Sequence, residues 1–220
     1  MTDRTGEDVW DSGRLLASLL QCKATREALG LIQPRVVLEL GAGTGELAMA
    51  LVKDIEFSSE LQAYVVTDLP SRVPFLEERT ANARGLIRCA ALPWGEIYSP
   101  RKLLAEADDV SAPDLVLAAD VLYWTGNDLF TQDTLAPLAT TLCSAIAADS
   151  MAVGLVTFRE RWPEREAAFC ELCCKMGFRV ERCSPNLVQL HVPVEAKDPD
   201  TTGALVVLKL TRPITVFSHR

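Results

Sequence analysis

From residue 34 onward, short apolar runs alternate with segments of helical spacing, the pattern of a parallel sheet covered by helices. Val36 to Leu40 is apolar apart from Glu39, rich in branched side chains and too short for a helix, so it reads as the first strand. A helix over 44–53 is expected to follow. The same pattern places strands at 63–67, 86–90, 114–118 and 151–157, with helices over 71–83, 128–147 and 163–176. Pro163 suits the first turn of that last helix, and Gly177 its end. The tail differs in kind. Segments 178–182, 187–192 and 204–210 read as strands separated by turn residues, with no helix between them. Such a run is antiparallel, because a parallel return needs a crossover of about a dozen residues. The expected fold class is α/β: five parallel strands, an antiparallel C-terminal hairpin, and helices on both faces.

Length and composition narrow the picture. A chain of 220 residues with 49% hydrophobic content can build a core as one domain over 1–220. Within it, 34–211 would be the sheet, 1–33 an N-terminal helical segment, and 212–220 a tail. Glu195 to Gly203 is expected to be a loop. The charge count of 22 basic against 30 acidic residues, net -8, argues against a surface built to grip nucleic acid. Residues 1–10 are polar and acidic, so no secretory signal is expected, and no run approaches the ~18 apolar residues of a membrane span. Seven cysteines at irregular spacings then read as reduced thiols. The expected location is the cytoplasm, with the nucleus as the alternative.

The sharpest local feature is Glu39-Leu40-Gly41-Ala42-Gly43-Thr44-Gly45, set between a strand and a helix. Glycines there let the backbone turn tightly and a ligand approach the main chain. Asp68 ends the next strand and would lie beside that turn, where a carboxylate can accept both hydroxyls of a ribose. A dinucleotide and S-adenosyl-L-methionine both fit this much. Alternation of Gly41, Gly43 and Gly45, in place of G-x-G-x-x-G, favours the second, as does Glu39 two places before the first glycine.

Four stretches carry a narrower likeness: Val9-Trp10-Asp11-Ser12-Gly13, the Glu39 to Gly45 turn, Leu92-Pro93-Trp94-Gly95, and Asp120-Val121-Leu122-Tyr123 preceded by Ala118-Ala119. Asn82 and Phe158-Arg159 extend it loosely. In these the chain resembles the lysine methyltransferase group of the seven-β-strand class, methyltransferase family 16. The resemblance implies a Rossmann-like seven-stranded sheet, S-adenosyl-L-methionine as cofactor and S-adenosyl-L-homocysteine as product. It implies a cofactor site made by Trp10, Glu39, Gly41, Gly43, Gly45, Asp68, Trp94 and Ala119, with the N-terminal segment covering it. Trp94 would lie flat against the adenine, and Trp10 near the methionine part. Asp120 and Tyr123 would be the catalytic pair, orienting an incoming lysine amine.

The chemistry explains why such a pair suffices. Transfer from a sulfonium needs a lone pair on the acceptor, and an ordinary lysine, with a pKa of about 10.4, is almost wholly protonated at neutral pH. Burial beside a cation lowers that value, and positioning supplies much of the remaining rate. The resemblance implies a lysine on another protein as substrate; no nucleic-acid or membrane partner is expected, and the chain is expected to act as a monomer. Alternatives are a small-molecule acceptor, an arginine or histidine side chain, or a non-catalytic binding subunit that keeps the fold. The intact turn, Asp68, Trp94 and Asp120 disfavour the last.

Other features are assigned blander roles. Cys170, Cys173 and Cys174 share one helix, but neither His191 nor His219 has ligand spacing to them, so no metal is expected. Arg159, Arg161 and Arg165 read as a solvated helix start, with a substrate-facing patch as the other reading.

Overall fold

The computed structural model describes residues 11–31, 33–83, 85–97, 112–123, 133–146, 151–192 and 203–213. Trp10, most of the expected 195–203 loop and parts of the expected 128–147 helix lie outside them. The strands are β1 (Val36–Leu40), β2 (Ala63–Asp68), β3 (Ile87–Ala91), β4 (Leu115–Ala119), β5 (Val153–Arg159), β6 (Arg179–Arg182) and β7 (Leu205–Thr211). They form one sheet in the order β3-β2-β1-β4-β5-β7-β6. The first five run parallel. β7 lies antiparallel between β5 and β6.

Every residue of β1 is buried, as expected of a strand covered on both faces. Alternation then divides the core in two. Val37, Tyr64, Val66, Leu117 and Leu155 face the layer holding α1 (Asp11–Gln21) and α3 (Glu46–Lys53). Leu38, Val65, Val116 and Val156 face α6 (Leu135–Ala145) and α7 (Pro163–Lys175). The smaller helices are α2 (Lys23–Ala28), α4 (Ile55–Ser58), α5 (Val73–Arg79) and α8 (Pro185–His191). Among the described residues, no helix is long and apolar enough to cross a membrane.

Two expectations are corrected. The segment read as a strand over 187–192 is the helix α8, so β6 and β7 pair as neighbours without a tight hairpin turn. Pro185 occupies the first helical turn, where its fixed φ and missing N–H cost nothing. Val188 is buried, and the His191 ring closes the helix onto the N-terminal layer. Its Nδ1 lies 3.1 Å from the Ser18 hydroxyl and its Nε2 2.8 Å from that of Thr25. The second concerns Arg159 at the end of β5 and Arg161 and Arg165 beyond it, which are not a solvated helix start. Arg159 and Arg165 are buried, and each guanidinium meets a carboxylate: Arg159 with Asp11 at 2.6 Å, Arg161 with Asp120 at 3.2 Å, and Arg165 with Asp133 at 2.9 Å. Pairing offsets the desolvation that would otherwise forbid burial of these charges.

Candidate active site

Strand order reverses at β1, whose neighbours are β2 on one side and β4 on the other. Ligands of open α/β sheets bind at the carboxyl ends of strands on either side of such a reversal. A cavity of about 410 Å3 lies there, its wall including Glu39, Gly41, Gly43, Asp68, Trp94, Ala119, Asp120 and Tyr123. Eight of the ten site residues read from the sequence are thus brought together. Trp10 lies outside the described residues, and Gly45 is not part of the wall.

The glycine turn works through its backbone. Gly41, Gly43 and Gly45 have φ of 67°, 55° and 71°, a region that penalises other residues. A Cβ on Gly41 would stand 3.1 Å from the Trp94 ring, so the absent side chain lets the indole close over the turn. Gly45 serves differently: it precedes α3 as its N-cap, and a Cβ there would stand 3.1 Å from Leu76 of α5. The Gly45 conformation also explains why α3 begins at Glu46 and not at Thr44.

Asp68 is tied into the same turn. Its Oδ2 accepts the Gly43 N–H at 2.8 Å, and its Oδ1 accepts the Leu69 N–H at 2.7 Å. A carboxylate has about four lone pairs, so each oxygen keeps capacity for a hydroxyl donor. Arg72, which the sequence reading passed over, donates to the Gly43 carbonyl at 3.1 Å while its guanidinium stands 4.6 Å from the Phe75 ring centre.

Glu39 sits on the cavity floor at 3% exposure and accepts a 2.8 Å hydrogen bond from the Tyr64 hydroxyl. Burial pushes its carboxyl up to about 8, Tyr64 works against that shift, and the negative charge of Asp68 adds to it. The folded chain therefore keeps a proton that the unfolded chain releases near 4.5. The stability linked to that proton is complete below about pH 4.5 and is lost as pH rises to about 8, at a slope of about 1.4 kcal/mol per pH unit. Glu39→Gln keeps an acceptor for Tyr64 but removes the proton. Urea unfolding at pH 5 and pH 8 should show wild type losing stability between the two and the variant losing much less. Equal losses would mean that Glu39 titrates as an ordinary acid.

At the β4 end, Asp120 has φ of 55°, the one positive value among described residues other than glycine. Aspartate tolerates this region better than most residues, but the conformation still costs free energy and marks a constrained position. Its N–H donates to the Thr157 carbonyl at 2.7 Å, which fixes the turn against β5. The carboxyl is largely buried, and burial raises it above the ordinary aspartate value while Arg161 pulls the other way. Tyr123 and Trp94 face one another with ring centres 6.1 Å apart and planes tilted by 55°.

The N-terminal layer completes the wall with Gly13, Arg14 and Ala17 of α1, and Thr134 and Pro137 complete it near Trp94. Two of the sequence segments noted above meet here: the Asp11 carboxylate holds Arg159, and the Thr157 hydroxyl donates to the Ser12 carbonyl at 3.1 Å. S-adenosyl-L-methionine fits these features. The volume falls within the ~300–1,000 Å3 of small-molecule pockets. Asp68 offers ribose acceptors, the glycine turn offers close backbone approach, and Glu39 adds a buried hydrogen-bonding carboxyl to the wall.

Comparison with solved structures agrees with this topology. Over 94% of this chain and 89% of the other, the fold superposes on a TehB-like SAM-dependent methyltransferase from Corynebacterium glutamicum at 16% identity and TM-score 0.53. The plantazolicin methyltransferase BpumL, solved with SAH, gives 11% identity and TM-score 0.56 over 96% and 88%. The methyltransferase domain of a citrinin polyketide synthase gives 12% and 0.54 over 82% and 47%. At such identities these likenesses establish the fold alone. No curated protein matches the chain significantly in sequence. The sequence profile described as lysine methyltransferase matches residues 1–175, a span that holds the glycine turn, Asp68, Trp94 and Asp120. This chain belongs to that lysine methyltransferase family, and it is an S-adenosyl-L-methionine-dependent methyltransferase.

Proposed function

We propose that the protein is a protein-lysine N-methyltransferase, transferring a methyl group to the ε-amine of a lysine on another protein. The observation that carries this reading is the constrained carboxylate of Asp120 beside Tyr123 at one end of the cofactor cavity. A carboxylate can accept an amine N–H and aim the nitrogen lone pair, and a tyrosine ring face favours a cationic head group. The bound cofactor supplies an electrophilic methyl group whose departure leaves a neutral thioether. Around it, Asp68 would take the ribose hydroxyls, Glu39 would hydrogen-bond the methionine portion, and Trp94 would lie on the flat adenine. Ala119, with its small side chain, would leave room for the reacting methyl between β4 and α1. Seven free cysteines suit a reducing compartment, cytoplasm or nucleus. We place the partner among proteins, not nucleic acids or membranes, and the active unit as a monomer.

The test is incubation of the purified protein with methyl-labelled S-adenosyl-L-methionine and lysate from its own organism, resolved on a gel. A discrete labelled protein, yielding methyl-lysine on hydrolysis and missing with Asp120→Ala, is the expected result. Tight cofactor binding by calorimetry with label only in small molecules would overturn the protein-lysine reading and leave a methyltransferase with a small acceptor.

A further inference from the structure

Arg161 stands two residues beyond β5, and its Nη1 lies 3.2 and 3.4 Å from the two oxygens of Asp120. Both members of the pair are held by backbone contacts. Asp120 is pinned at φ 55° by its bond to the Thr157 carbonyl. The Arg161 N–H donates to Oε1 of Glu166 at 2.9 Å, an atom that also accepts the Trp162 N–H at 3.1 Å. The Asp120 side chain is 8% exposed and that of Arg161 28%, so the pair spans the border between cavity and solvent. Among the described residues Asp120 is part of the cavity wall and Arg161 is not, and the guanidinium meets the acid from just beyond β5. Among the described residues, charged or titratable groups nearby include Arg159 on β5, itself bound to Asp11 of α1, Glu166 on α7, and Tyr123 on the loop of Asp120.

A lone carboxylate at this place would oppose the reaction. An anion a few ångströms from an amine favours the ammonium form, which has no lone pair to give. It would also gain little from the cavity, because burial disfavours an unpaired charge. A guanidinium paired with the acid changes both balances. It keeps the carboxylate charged in a desolvated place, and it offsets the field that this carboxylate exerts on an approaching amine. The carboxylate lone pairs that do not face Arg161 remain able to accept an N–H.

We infer that Arg161 is a positioning residue for methyl transfer: paired with Asp120, it lets the carboxylate orient an acceptor amine without holding that amine as an ammonium. This rests on the reading of the acceptor as an amine. During transfer the nitrogen lone pair forms the N–C bond, the C–S bond breaks with its electron pair returning to sulfur, and the amine proton leaves to solvent.

The experiment compares full-length wild type, Arg161→Gln and Arg161→Lys. Single-turnover rates toward the labelled acceptor protein are followed from pH 6.5 to 9.5. Aspartate carboxyls are titrated by carbon-13 NMR with S-adenosyl-L-homocysteine bound, and calorimetry reports affinity for the same product. Arg161→Gln should lose about tenfold in rate at pH 7.5 and recover most of it by pH 9.5, as the rate-controlling ionisation moves up by about one pH unit. Arg161→Lys should restore the profile, and product affinity should stay within about threefold in both variants. The same loss at every pH, or no loss, would overturn the inference, as would a fall in affinity matching the fall in rate. If wild type labels no protein, the acceptor reading fails by itself. The carbon-13 titration then decides the pair: an Asp120 carboxyl unmoved by Arg161→Gln overturns the role of Arg161, and one moved upward supports it.

Discussion

Asp120→Ala should lower the methyl-transfer rate about a thousandfold while leaving cofactor affinity within about tenfold. The asymmetry follows from where the residue sits. Asp120 belongs to the cavity wall at the β4 end, away from Asp68 at the tip of β2. Its loss removes the group that aims the acceptor and leaves the ribose and glycine-turn contacts in place. Alanine also meets a backbone penalty at φ 55°, so Asp120→Asn is the informative companion. Asparagine tolerates that region and keeps the shape, yet it carries no charge to pair with Arg161. A similar rate loss in both variants would assign the effect to the carboxylate; loss with alanine alone would assign it to the turn. Single-turnover rates and calorimetry, run on the same preparations, separate transfer from binding. Affinity falling as far as rate would make Asp120 a cofactor or folding residue.

Asp68→Ala should do the reverse, weakening cofactor binding at least about a hundredfold before any change in the rate of bound complexes. Two hydrogen bonds to a charged acceptor are worth about 1.5–3 kcal/mol each, and 2.7 kcal/mol is already a hundredfold. The same carboxylate accepts the Gly43 and Leu69 N–H groups, so the variant loosens the turn as well. Adenosine separates these contributions. If the loss comes from the ribose, adenosine should weaken by about the same factor as S-adenosyl-L-homocysteine. Binding that is unchanged for both would remove Asp68 from the cofactor site.

The parts of this protein legible from sequence are those where one residue type is physically required. Glycine is needed at three positive-φ positions, and the acid that ends β2 is needed beside that turn. Four of the five parallel strands, β1, β2, β4 and β5, were legible because burial on both faces leaves a short apolar run with few alternatives. Leu187 to Val192 misled because its apolar residues suit either element, and the deciding signal was Pro185 together with contacts of His191 across 173 and 166 positions. Arg159, Arg161 and Arg165 were misassigned for a related reason. Their partners Asp11, Asp120 and Asp133 come from other elements, and local spacing carries no trace of them. Tyr64 was within reach. Side chains alternate along adjacent parallel strands, and a buried acid on β1 calls for a donor on the same face of β2.

The place of β7 has a consequence for how the chain is made. β6 leaves the ribosome first, yet among the described residues its only sheet partner is β7, whose residues 205–211 are translated later. At about 5–20 residues per second, the interval between the end of β6 at 182 and the end of β7 at 211 lasts roughly 1.5–6 s. During it the nascent chain carries an unpaired edge on β5, a strand buried throughout its length in the finished protein. Such an edge invites pairing with other chains. Synthesis of this protein therefore contains a short window of aggregation risk that closes only when β7 slides between two strands already made.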